Sequence, residues 1–156
     1  MRVHICAVGR LRAGPEKTLI DDYLKRFDRT GRALGLGPAL VLEVDERKAQ
    51  TSAAQGAALE RVLPRNAILC CLDERGRTLK SPDFANMLRD WADRGDSDIA
   101  FLIGGADGLD PGLRDRAQLN LSFGAMVWPH MLARVMLAEQ LYRATTILAG
   151  TPYHRA

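Results

Sequence analysis

Apolar positions along the chain follow two patterns that alternate with each other. Short β-prone runs occupy residues 3–8 (VHICAV), 40–44 (LVLEV), 67–72 (AILCCL) and 99–103 (IAFLI). The first is apolar on both faces, as a central parallel strand must be when helices cover it on either side. Between the runs the spacing becomes helical. Gly14-Pro15-Glu16 opens a helix in which Leu19, Ile20, Tyr23, Leu24 and Phe27 share one face, and Gly31 stops it. The stretch after Val44 is charged at first and then amphipathic. Ser81-Pro82-Asp83 is a helix start with Ser81 as N-cap, followed by Phe84, Met87, Leu88 and Trp91 on one face and a stop at Gly95. Asp110-Pro111 offers another such start. This strand, helix, strand alternation predicts an α/β fold, a single-domain parallel sheet flanked by helices, over residues 1–156. Residues 29–38 hold three glycines and a proline and read as a mobile loop.

The last apolar stretch asks for more than the sheet supplies. Met131, Leu132, Val135, Met136, Leu137, Ala138, Leu141, Tyr142, Ala144, Ile147 and Leu148 exceed one stripe of a helix. A helix apolar on two sides needs a second partner, and in so small a domain that partner is expected to be another copy in a two-fold dimer. Glu139 and Arg143, one turn apart, read as a solvated pair, and Arg134 suits a functional or a structural role equally.

Composition narrows the function classes. A chain of 156 residues can bury one core unaided. Its longest apolar run is too short to span a membrane, and charges in the first twenty residues speak against a signal peptide, so a cytoplasmic protein with no membrane partner is expected. Cys6, Cys70 and Cys71 are odd in number, lack C-x-x-C spacing and lie in apolar runs, which points to core thiols and to no metal site. His4 reads as a packed core residue, and Glu43, Asp45 and Glu46 as a solvated strand end. A net charge of +3 suits a nucleic-acid partner, with Arg26, Arg29, Arg32, Arg47 and Lys48 as a possible phosphate-tracking face or simply a soluble surface.

Two loops carry the candidate chemistry. Residues 99–103 empty into Gly104-Gly105-Ala106-Asp107-Gly108, where backbone can approach a ligand. That sequence is neither the dinucleotide fingerprint nor a P-loop, and by spacing alone a glycine turn with no ligand explains it as well. The second loop, SFGAMVWPH over residues 122–130, sets Gly124 and Ala125 among apolar residues. The two loops make opposite walls of one pocket, mostly apolar with backbone polar contacts, suited to a flat ligand such as adenine. Asp73-Glu74-Arg75-Gly76 is a polar turn at the carboxyl end of a strand, where open α/β sheets bind ligands.

LIGGADGL, the LS and PH that bracket the second loop, RVMLAEQLYRA and the terminal PYHR together resemble the SPOUT class of RNA methyltransferases, and within it the small 23S ribosomal RNA (pseudouridine-N3) methyltransferases. The resemblance runs from Ala7-Val8-Gly9 to Arg155 and is densest after Phe101. It implies a C-terminal trefoil knot, S-adenosyl-L-methionine as cofactor, a homodimer, and 23S ribosomal RNA within the ribosome as partner. Carried over, the cofactor contacts are Leu72, Gly104, Phe123, Gly124, Ala125, Met126, Val127 and Trp128, and the catalytic candidates are Tyr153, His154 and Arg155. His154 is the titratable member. Tyr153 can stack on or orient a base, and Arg155 can hold a phosphate. Without the resemblance the tail reads as a frayed basic end. Two other readings stay open at this point: a non-catalytic RNA-binding module and a nucleotide-binding enzyme acting on a small metabolite.

Overall fold

The computed structural model describes residues 1–155. Five strands form one sheet: β1 Arg2–Val8, β2 Ala39–Val44, β3 Ile68–Thr78, β4 Asp98–Ile103 and β5 Leu119–Ser122, in the order β2-β1-β4-β3-β5. Every pairing is parallel, with Val3 opposite both Ala39 and Ile99, Ile68 opposite Ile99, and Cys70 opposite Leu119. The central strands β1 and β4 are the most continuously apolar, and from Val3 to Val8 and from Asp98 to Ile103 every residue is buried.

Five helices cover the sheet: α1 Pro15–Gly31, α2 Ser52–Val62, α3 Ser81–Asp93, α4 Pro111–Arg116 and α5 His130–Leu148. One face packs Ile5, Phe101 and Leu119 against Phe27 of α1, Leu88 of α3, and Leu137 and Leu141 of α5. The other packs Cys6, Cys71 and Leu102 against Leu59 of α2 and Leu113 of α4. After β5 the chain therefore passes from the α4 face to the α5 face. Cys6, Cys70 and Cys71 are free and buried, and Trp91 belongs to the core. His4 is buried as expected, with Nε2 2.7 Å from Asp98 Oδ1.

Several expectations need correction. Residues 29–38 are not a mobile loop: α1 runs through Arg29, a 3₁₀ turn follows at Arg32–Leu34, and Leu36 is buried under α1. Gly31 permits this, because a β-carbon there would lie 2.7 Å from the Leu36 carbonyl oxygen. Ser81 does not cap α3. Lys80 holds that position, and Ser81, already helical, donates instead to Gln140 Oε1 at 2.8 Å. Asp110 does cap α4, accepting from Gly112 N at 2.9 Å. The second apolar side of α5 is covered within the chain, since α1 and α3 flank it, and Leu141 is fully buried rather than facing another copy. The most exposed apolar residues of α5 and the loop before it are Met126, Val127, Trp128, Met131 and Leu132, while Val135, Met136, Tyr142, Ile147 and Leu148 further along are half-buried.

Candidate active site

The carboxyl ends of β3, β4 and β5 converge on a cavity of about 300 Å³. Its walls are residues 72–75, 103–108, and 121–124 with 126–128; His130 and Ala133 of α5 close it. Each wall has a local cause. β3 and β5 pair through Leu72 and Leu121, lose register, and pair again at Arg77 and Thr78, so residues 73–76 are pushed out of the ladder toward the cavity. Gly76 makes the excursion possible: a β-carbon there would come within 2.5 Å of the Asn120 carbonyl oxygen.

The glycine loop is closed on itself. Gly108 N donates to Gly105 O at 3.0 Å, and a β-carbon on Gly104 would stand 2.4 Å from Gly108 C and 2.7 Å from Leu109 N. Gly104 is thus required by the loop's own backbone, in addition to lining the cavity. At the third wall Ser122 Oγ donates to Glu74 O and accepts from Gly124 N, tying the second loop to the excursion of β3.

Asp73 anchors the charged rim. Arg75 donates to it through Nε, Nη2 and its backbone N–H at 2.9–3.0 Å, and Arg114 Nη1 adds a further bond at 3.0 Å. Hydrogen bonding from the Arg75 side chain, reinforced by its backbone N–H and by Arg114, holds the carboxyl at about 2, well below the usual carboxylate range, although burial opposes this.

The start of α5 is clamped to the sheet by Arg134, which is 1% exposed. It donates to Val8 O and Gly9 O at the end of β1, and through Nη1 to Glu43 Oε1 at 2.9 Å; Glu43 also accepts from Leu11 N. Burial lowers the Arg134 pKa and the Glu43 charge opposes that. Arg134 is structural, and Glu43 is its buried-side partner rather than part of a solvated strand end.

Of the cofactor candidates, Leu72, Gly104, Phe123, Gly124, Met126, Val127 and Trp128 line this cavity, and Ala125 does not: it points to solvent. The catalytic candidates lie elsewhere, at the far end of α5. Tyr153 donates to Glu139 Oε1 at 3.0 Å, and its ring centroid is 4.7 Å from that of Tyr142. Arg143 binds Glu139, covers the Tyr153 ring at 4.9 Å and reaches His154 Nδ1 at 3.3 Å. Glu139 and Arg143 are therefore not a solvated pair, and the tail through His154 is folded back on α5. Arg155 is exposed, and Ala156 lies outside the described residues. Burial and the bond to Glu139 push the Tyr153 hydroxyl pKa upward, so it serves as a donor near neutral pH. The Tyr153 hydroxyl thus sits beside Glu139, about 9 Å of helix rise beyond the cavity residue Ala133.

The chain matches the family described as "Predicted SPOUT methyltransferase" over residues 1–154. The chain belongs to that family. Among curated proteins it is 68% identical over 155 residues to Ribosomal RNA large subunit methyltransferase H of Dinoroseobacter shibae, covering 99% of both chains. It is 67% identical, with the same coverage, to the protein of that name from Ruegeria pomeroyi. These relatives place it in the H type of the SPOUT methyltransferases, and so among enzymes. A probable methylase family protein from Haemophilus influenzae Rd KW20 shares the fold, with TM-score 0.51, 13% identity, and coverage of 99% of this chain and 70% of that one. Asp73, Glu74, Asp107 and His130, to which pattern reading gave no individual role, also line the cavity. His130 was visible only as the end of the PH pair. Among the described residues no cluster of histidine, cysteine or carboxylate side chains is arranged to hold a metal, and no helix is long and apolar enough to cross a membrane.

Proposed function

We propose that the protein transfers a methyl group from S-adenosyl-L-methionine to N3 of a pseudouridine in 23S ribosomal RNA, as a cytoplasmic homodimer acting on the ribosome. The full-length identity to ribosomal RNA large subunit methyltransferases carries this reading. The cavity fits the cofactor: it is formed by loop backbone and apolar side chains at the ends of parallel strands, with Asp73, Glu74 and Asp107 as carboxylates at the rim of a site for a cationic ligand. When bound, the cofactor supplies a methyl already activated on a sulfonium, so that the S–CH₃ bond breaks as the N3–CH₃ bond forms and a neutral thioether leaves.

The chain's residues then have positioning and a proton to provide. Residues 103–108 and 121–124 flank the donor on two sides. The N3 proton needs an acceptor, and the His154 imidazole is the titratable group of the tail. Tyr153, held by Glu139 and Tyr142, and Arg155 orient the base and the RNA backbone. None of these three residues lines the cavity of its own chain, and in this reading they act on the cavity of a second copy. The exposed apolar group Met126, Val127, Trp128, Met131 and Leu132 supports a second copy seated at the start of α5. The trefoil threading that goes with this family belongs to the same reading, supported by the passage of the chain through β5 from one face of the sheet to the other.

The test is mass mapping of 23S ribosomal RNA from a deletion strain with and without the complementing chain, together with calorimetry of S-adenosyl-L-methionine binding. One methyl on a pseudouridine should vanish and return. An unchanged methylation map would end the proposal.

A further inference from the structure

A second cavity, of about 310 Å³, lies beside the first and shares residues 121–124 with it as a common wall. Beyond that wall it is lined by Thr78, Leu79, Ser81, Phe84, Met136 and Gln140. Gly124, at φ 117°, has nothing within 4 Å of where a β-carbon would stand, so the partition carries no side chain there. At Gly124 only backbone separates the two cavities.

One polar group in the second cavity is oriented with unusual completeness. Ser81 Oγ donates to Gln140 Oε1 at 2.8 Å, and Gln140 Nε2 donates to Glu139 Oε2 at 2.8 Å. Glu139 is in turn held by Arg143 and by Tyr153. The Glu139 carboxylate, which can only accept, fixes which end of the amide faces it. A primary amide has two N–H donors and two acceptor lone pairs, so one of each remains for a ligand. A fixed donor beside a fixed acceptor, among Leu79, Phe84 and Met136, matches a flat ring carrying a lactam edge.

We propose that this second cavity receives the acceptor base and that Gln140 is the residue that tells pseudouridine from uridine. The inference rests on the function proposed above. Pseudouridine is joined to its sugar through C5, which leaves a hydrogen on N1 next to the C2 carbonyl. In uridine N1 carries the sugar, and the corresponding ring position is a C–H that cannot donate. Gln140 Oε1 accepts the N1–H, and Gln140 Nε2 donates to O2. N3, on the other side of C2, is then turned toward the partition and the methyl donor. With uridine the second lone pair of Oε1 gains no bond from the base, and a site built to bond an N–H rejects analogues lacking it far more strongly than an apolar pocket rejects a change of shape.

The experiment compares single-turnover methylation of ribosomes carrying pseudouridine, uridine or N1-methylpseudouridine at the target position, with wild-type chain, Gln140→Leu and Ser81→Ala. The wild type should prefer pseudouridine to both analogues by about 100-fold or more. Gln140→Leu should reduce that preference at least tenfold while S-adenosyl-L-methionine affinity by calorimetry stays within twofold. Ser81→Ala, which frees one end of the amide without emptying the cavity, should lower it by a smaller factor and decides the matter if Gln140→Leu does not fold. A wild type that methylates N1-methylpseudouridine as fast as pseudouridine, or variants that keep the full preference, would overturn the role of Gln140 and leave the methyltransferase reading intact. A wild type that methylates none of the three would instead remove the reading on which it rests.

Discussion

Replacing Gly104 with alanine adds one methyl group at the tightest point of the glycine loop. Its β-carbon would lie 2.4 Å from Gly108 C, 2.5 Å from Gly108 O and 2.7 Å from Leu109 N. All three are backbone atoms, so no side-chain rotation relieves the overlap, and residues 104–108 must move as a unit. Overpacking of this kind costs about 1–3 kcal/mol. If the displaced loop must return to its original path to bind, that cost appears in the binding free energy as a loss of about 5- to 150-fold in S-adenosyl-L-methionine affinity. The strain sits in an excursion outside the sheet ladder, so the melting temperature should fall by only about 2–4 °C for each kcal/mol that reaches global stability. Calorimetry with S-adenosyl-L-methionine and a thermal melt on the same preparation separate the two effects. Unchanged affinity at an unchanged melting temperature would show that the loop has room that the coordinates deny it, and the cavity would lose its claim to be the donor site.

Leu132→Glu places a charge in the exposed apolar group and should give soluble monomers by light scattering, whereas Leu141→Glu, aimed at a fully buried side chain, should give misfolded protein. Deleting residues 153–156 should leave dimerisation and S-adenosyl-L-methionine affinity nearly intact and reduce methyl transfer at least 100-fold; full activity would return the tail to a frayed end. Stability should also depend on Asp73 in acid: its folded pKa of about 2 lies below the unfolded carboxylate value, so its contribution is present above about pH 4 and lost as the pH falls toward 2. Because Arg75 is solvent-exposed, that contribution is about 1 kcal/mol after screening, and melts of the wild type and Asp73→Asn should converge between pH 4 and 2.5.

The parts of the fold that read plainly from the sequence are those governed by period. The buried runs of β1 and β4, the stripe of α3 and the Asp110 cap follow from local rules, and the structure keeps them. What did not read plainly was settled by distant partners. Nothing local marks Leu36 as buried; it needs α1 above it and a bare Gly31 beside it. Ser81 carries every sign of an N-cap, yet its hydroxyl faces α5, 59 residues away in sequence, and bonds Gln140. Glu43 looks like a solvated strand end until Arg134 arrives from 91 residues further on. The two pocket walls were legible because glycine and apolar spacing announce them. The wall of Asp73, Glu74 and Arg75 showed only as a polar turn, because the loss of register between β3 and β5 that pushes it into the cavity belongs to the pairing and not to either strand.

Helix α5 joins the two halves of the proposed chemistry and also keeps them apart. Its first turn closes the donor cavity with His130 and Ala133, and Arg134 fastens that turn to the ends of β1 and β2. Its middle and C-terminal half carry Glu139 and Arg143, which hold Tyr153 and His154. The first turn is clamped and both flanks are packed by α1 and α3, and the tail, folded back along the helix as far as Glu139, does not line the cavity of its own chain. Two chains can bring tail and cavity together if their α5 helices lie antiparallel about a two-fold axis, because each tail then falls near the start of the other helix. The most exposed apolar residues of α5 lie at that start, and half-buried ones, Val135, Met136, Tyr142, Ile147 and Leu148, continue along the helix, a surface that a second copy laid along α5 would cover. In such an arrangement the Arg134 clamp does more than hold one chain together. By fixing the direction of α5 relative to the sheet, it fixes where each chain presents its tyrosine and histidine to the other.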